Sequence, residues 1–183
     1  MNLATFLPYA AKHYDALPID DSSPETLRCY AALCRELRAQ YDVLSSFVDI
    51  DFVSEDPYPD ACAMFSDLSA HHLSVYTGGS PLPPSHPFAR VALPCGATYN
   101  HVFRAVHDGL AHYPLRNDFS AQGELAAFIA HAALFSPDAI RAVATETIGQ
   151  QGYLRTFGDY APQKFALLPP HVVLNAFMLA EVL

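Results

Sequence analysis

The chain has 183 residues, a formal charge of −9, and 51% hydrophobic against 16% charged residues. That is enough apolar chain to bury a sizeable core, and it excludes a disordered polymer. No apolar run approaches the roughly 18 residues of a membrane span, and there is no strong electrostatic attraction for nucleic acid, which draws on Lys and Arg to neutralise phosphate. The charge is uneven: between Ala39 and Ala89 there is no Lys or Arg but seven acids. The first residues lack a basic start followed by an apolar block, so no secretion signal is expected. Cys29, Cys34, Cys62 and Cys95 show no CxxC spacing. They are expected to be reduced thiols in a cytoplasmic setting.

The expected fold is mainly α with a small β element, as one domain over 1–183. Residues 1–94 hold an N-terminal helix and the small β unit, and 95–183 a helical metal-binding core. Residues 2–16 read as a short helix or an ordered arm. Ser23, Pro24 and Glu25 form a helix start, with Ser23 as cap and Pro24 in the first turn. That helix should reach about Ser45, with Leu27, Tyr30, Leu33, Leu37 and Tyr41 on one side. Val48, Ile50 and Phe52 alternate with Asp49 and Asp51, a strand pattern with the acids on the solvated face. Asp60 caps a helix to about Ala70, and Leu73–Tyr76 is a second strand.

After a proline-rich loop over Ser80–Pro94, the pattern is helical to the end. The segments are Tyr99–Ala111, Ser120–Phe135, Ser136 to about Phe157, and Pro170–Leu183. Ser120 and Ser136 are the expected caps. The last segment is apolar on most sides and reads as core.

The chemistry concentrates between Tyr99 and Lys164, where His107, Asp108, His112, Glu124, His131 and Glu146 fall on three successive helical segments. His107 and His112 are five apart. A regular helix turns about 140° over that distance, so the two do not share a face. Asp108 and His112 do. The two histidines converge only if the helix ends or bulges near Gly109–Ala111. Two imidazoles and one carboxylate on one side of a metal leave the other positions open, the facial triad of non-haem Fe(II) oxygenases. Asp108 or Glu124 then orients the ligating imidazoles, and His131 holds Glu124 or substrate; Asp108, Glu124 and His131 are the candidate catalytic groups. Arg104, Tyr113 and Tyr153 are candidate substrate contacts, Arg104 for a carboxylate or phosphate.

His107-Asp108-Gly109-Leu110-Ala111-His112-Tyr113-Pro114-Leu115 resembles the HE-x-x-GH-x-PL signature of the pterin-dependent aromatic amino acid hydroxylases. Phe119 to Glu124 is similar to that family's F-x-x-x-x-QE run. Thr145-Glu146 falls where its third ligand lies, and Thr156-Phe157-Gly158-Asp159 resembles its SFGE. The resemblance covers roughly residues 95–170. It implies a mostly helical catalytic domain with His107, His112 and Glu146 as Fe(II) ligands. Asp108 and Ala111 depart from the signature, and the family's TQYIRH-type segment is not recognisable, so Fe(II) is expected but a pterin is not. The same stretch, through FRAVHDGLAH, GELAAFIAH, ATETIGQ and FGDYAPQK, also resembles an uncharacterised domain of phage and mobile-element proteins. That likeness implies that Asp108, Glu124, His131 and Gln150 share the site.

Three functions follow. The first is an oxygenase-like iron enzyme acting on a small molecule. The second is a metal-dependent phosphohydrolase of the HD type, suggested by the His107-Asp108 dipeptide. The third is a non-catalytic, phage-related binding module whose polar groups form a buried network.

Overall fold

The computed structural model describes residues 1–180, in which eight α-helices flank a two-stranded parallel sheet. Asn2 opens α1 (Leu3–Asp15) with a capping box to Thr5. Next come α2 (Pro24–Leu44), β1 (Asp49–Val53), α3 (Ala61–Ser69) and β2 (His72–Tyr76). The two strands pair in parallel with Ile50 opposite Leu73, and α3 makes the crossover a parallel pair requires. Asp49 and Asp51 lie exposed on β1, as the alternation predicts.

The C-terminal half holds α4 (Tyr99–His107), α5 (Ala121–Ala132), α6 (Pro137–Ala144), α7 (Gln150–Phe157) and α8 (Pro170–Ala180). Residues 181–183, the end of the last expected helix, lie outside the described residues. Two π turns interrupt this half. The first, Asp108–His112, continues α4. The second, Thr145–Gly149, joins α6 to α7, so the segment expected from Ser136 to Phe157 runs unbroken but widened in the middle.

One apolar core spans both halves of the chain. Helix α1 lies along α7, and α2 lies along α6 and α4. The α1–α7 approach is close because Gly152 has no side chain: a Cβ there would stand 3.1 Å from Ala11 N and Leu7 O. The buried face of α2 carries Tyr30, Leu33, Leu37 and Tyr41, but Leu27 turns outward and is 44% exposed. Helix α8 buries Val172, Val173, Ala176 and Leu179, and Leu174 and Met178 face solvent, so it is a covering helix rather than core on most sides.

Two of the expected caps take a different form. Ser23 makes no side-chain bond to its helix; instead the Thr26 hydroxyl donates to Asp20 at 2.6 Å. Ser136 gives both its N–H (2.8 Å) and its hydroxyl (2.6 Å) to the Glu36 carboxylate, tying the start of α6 to α2. Ser120 and Asp60 cap as expected, accepting from Gly123 N–H at 3.1 Å and Ala63 N–H at 2.9 Å.

Each π turn contains a glycine facing a buried side chain of another helix. A Cβ on Gly109 would meet Leu44 Cδ2 at 2.7 Å, and one on Gly149 would meet Tyr14 Cδ2 at 2.4 Å. Tyr14 is fully buried and its hydroxyl is held by Pro162 O at 2.8 Å, so the ring has little room to move. Gly149→Ala is therefore expected to cost about 1–3 kcal/mol through overpacking. Urea unfolding reads this as a lowered midpoint; an unchanged midpoint would show that the α1–α7 contact tolerates a methyl group.

Candidate metal centre

The first π turn resolves the spacing problem posed by His107 and His112. A π turn closes i→i+5 hydrogen bonds, so residues five apart come onto one face. The bond is present: Tyr113 N–H donates to the Asp108 carbonyl at 3.1 Å. The two imidazole rings accordingly meet edge to face, with centroids 4.7 Å apart. The sequence condition that the helix bulge near Gly109 is met by widening, not by ending.

The carboxylate that joins them is Glu124, from the first turn of α5. His107, His112 and Glu124 offer donor atoms that all lie within 4.8 Å of one another. Glu124 Oε2 stands 3.9 Å from His107 Nε2 and 3.7 Å from His112 Nε2. These separations are too long for hydrogen bonds. Glu124 accepts no hydrogen bond from any described residue, although its side chain is only 12% exposed. A shielded carboxylate facing two imidazoles without a bond is a donor set arranged around a point.

Glu146, the carboxylate implied by the hydroxylase resemblance, is not in that group. It sits on the second π turn and lines the same cavity of about 230 Å3. Its oxygens are engaged elsewhere. Oε1 accepts from the buried Tyr30 hydroxyl, and Oε2 accepts from Gln150 Nε2 at 2.7 Å. His86 Nε2 stands 3.3 Å from Oε1 but is not aligned for a hydrogen bond. Burial, and then the neighbouring Glu146 carboxylate, push the Tyr30 hydroxyl well above the usual phenol range. It therefore remains a donor at any ordinary pH.

The outer partners also differ from expectation. His131 does not hold Glu124; its Nδ1 lies 2.9 Å from His107 Nδ1, and its Nε2 is buried without a partner. His112 Nδ1 lies 2.8 Å from the Asn117 carbonyl. A carbonyl only accepts, so the proton of His112 sits on Nδ1 and the Nε2 lone pair faces the cavity. Burial, reinforced by His107, lowers His112 to about 4, and burial takes His131 well below its ordinary value. Both are neutral imidazoles at pH 7, the form that ligates metal.

Asp108 does not orient either imidazole by a hydrogen bond. It points into the cavity and also lines a second, larger one of about 570 Å3. Arg104, Phe119, Gln150 and Gln151 line both as well, so the two spaces adjoin. Tyr113 and Tyr153 line neither. Tyr113 packs under Arg116 and near Ser69 at the surface, and Tyr153 stacks between Tyr14 and Phe157. Both side chains pack against neighbouring rings outside the two cavities, Tyr113 from the turn after the first π turn and Tyr153 from α7. The sequence reading did not foresee Tyr30, His86, Asn117 or Gln163 around the site. Tyr30 reaches Glu146 across 116 residues of chain, which no spacing rule detects.

Comparison with protein-family models, with curated proteins and with solved structures returned no match.

Burial, and secondarily Glu124, raise the Asp108 carboxyl to about 7, with His107 and Arg104 pulling the other way. Because the folded value exceeds the ordinary 3.8, the folded chain binds the proton more tightly than the unfolded one. Stability from this group is present below about pH 4 and is lost as pH rises to about 7. In metal-free protein, Asp108→Asn is expected to raise the melting temperature at pH 8 and leave it nearly unchanged at pH 4. Melting curves at the two pH values check this, and equal shifts at both would refute the assignment.

Proposed function

We propose that this chain is a metal-dependent enzyme of the non-haem iron type, with His107, His112 and Glu124 as the protein ligands. The observation that carries the reading is the convergence, without hydrogen bonds among them, of the His107 and His112 Nε2 atoms and the shielded Glu124 carboxylate on one cavity. Two imidazoles and one carboxylate are the donor set of the Fe(II) oxygenases. When bound in such a set, Fe(II) supplies activation of O₂ beside an organic substrate.

The protein's own groups fit that role. His112 is held in its ligating tautomer by the Asn117 carbonyl. For His107 to offer Nε2, its Nδ1 keeps the proton and donates it to His131 Nδ1. Such outer bonds fix ring orientation and raise ligand basicity. Phe103 stacks on His107 with its ring 5.7 Å away, and Phe119 meets His112 edge to face at 5.3 Å. The two aromatic rings shield the imidazoles from bulk water. Glu146 faces the same space with Tyr30 and Gln150 on its oxygens, which holds it in place as an acceptor across the cavity.

Anaerobic reconstitution with Fe(II) followed by elemental analysis is expected to give about one metal per chain. His112→Ala and Glu124→Ala should each abolish stoichiometric binding. His131→Ala should weaken it by about 10–100-fold, the usual effect of losing an outer partner. Glu146→Gln should leave it intact. Absence of bound metal would overturn the reading. Loss of metal in Glu146→Gln with retention in Glu124→Gln would move the third ligand to the position the hydroxylase resemblance implies. Phosphodiester hydrolysis with Mn²⁺ and no O₂ would replace the oxygenase chemistry with a hydrolase.

A further inference from the structure

The larger cavity contains a guanidinium that no described carboxylate contacts, although Asp108 and Asp56 act on it at longer range. Arg104 lies one turn before His107 on α4, and its side chain reaches the junction of the two cavities. Nη1 donates to the Tyr76 carbonyl at 2.6 Å, and the guanidinium carbon sits 5.5 Å over the Tyr76 ring. Gly79, at φ +118°, brings the loop after β2 against the other side: a Cβ there would stand 2.8 Å from Nη2. The group is thus held by a carbonyl, a ring and a glycine, all uncharged. No carboxylate oxygen of a described residue lies within 4.0 Å of it. Asp56 and Asp108 line the same space without pairing with it, and no other Lys or Arg does.

The remaining wall is mixed, with apolar side chains set among polar ones such as Asp56, Asp108, Gln150 and Gln163. Tyr58, Met64, Phe119 and Leu154 supply apolar surface. Gln151, shared by both cavities, has a buried amide oxygen without a donor. A part-buried arginine left unpaired offers a planar fork of N–H groups matched to a carboxylate or phosphate.

We infer that the larger cavity is a substrate chamber and that Arg104 anchors the anionic group, carboxylate or phosphate, of a small organic substrate with an apolar ring or chain. The chamber's status as a substrate site rests on the proposed metal centre next to it; the anion site itself does not. The anchored group sits on the α4 side, and the substrate body extends past Phe119 and Gln151 toward His107, His112 and Glu124. Arg104 selects for charge, and the apolar side chains of the lining, Tyr58, Met64, Phe119 and Leu154, select for the body.

The test is calorimetric titration of benzoate, phenyl phosphate, benzyl alcohol and benzylamine into metal-free and Fe(II)-loaded protein. The expected result is saturable binding of benzoate or phenyl phosphate at least about ten-fold tighter than benzyl alcohol, with the tighter of the two identifying carboxylate or phosphate. Arg104→Gln should lose that preference, and Arg104→Lys should restore part of it. Melting curves confirm that both variants fold, and the comparison of benzoate with benzyl alcohol on the unaltered chain needs neither. Equal affinity for benzoate and benzyl alcohol, no binding of either anion, or unchanged anion affinity in a folded Arg104→Gln overturns the inference. So does a preference for benzylamine, the result that Asp56 and Asp108 would give if they governed the chamber. Anion binding in a chain that takes up no metal would overturn the metal centre and leave the anion site standing. Metal uptake without anion preference would do the reverse.

Discussion

Between His107 and His112 the helix carries one residue more per turn than an α-helix, and the hydrogen bond from Tyr113 N–H to the Asp108 carbonyl closes that wider ring. Everything at the site follows from this geometry. With α-helical winding, His112 would stand with Asp108 and the second imidazole would face another way. With the wider turn, both imidazoles face α5, and the first turn of that helix brings Glu124 to them. Gly109, seated against Leu44, keeps the widened turn close to the end of α2. The second π turn repeats the arrangement with Gly149 against Tyr14, and it carries Glu146 to the opposite wall.

The two glutamates of the cavity separate by how fully they are satisfied. Glu146 has a donor on each oxygen and a side chain only 3% exposed. Glu124 has none among the described residues, with a side chain 12% exposed. Burying a polar group without a partner is costly, and an unbonded carboxylate beside the His107 and His112 imidazoles is a group that could hold a metal ion. The same logic separates Arg104 from the arginines of the surface. Arg28, Arg38 and Arg141 pair with carboxylates, whereas Arg104 is positioned by uncharged groups and left open toward a cavity.

The arms of the site are far apart in sequence and are joined by packing. Tyr30 on α2, His86 in the proline-rich loop and Gln163 after α7 meet around Glu146 and Gln150. Helix α1, at the other end of the chain, braces α7 through Gly152 and Tyr14. The N-terminal half thus supplies walls around a site whose candidate ligands, His107, His112 and Glu124, all come from the C-terminal half.

Local patterns in the sequence determined most of the secondary structure: the helix starts at Pro24, Ala61, Ala121 and Pro137, the alternation that made β1, and the glycine and proline breaks. They also singled out the candidate polar groups, because His107, His112, Glu124 and Glu146 were distinguishable on otherwise apolar helical segments, with Glu146 the third ligand that the resemblance implied. Periodicity left open whether the helix stayed regular through Gly109, and so whether His107 or Asp108 would stand with His112. Only the tertiary structure decided that, since a π turn is stabilised by the neighbours that fill its wider surface, here Leu44 and α5. It also decided between the two carboxylates: Glu124 and Glu146 are alike as sequence, and differ only because Tyr30 and Gln150 are packed against one and not the other.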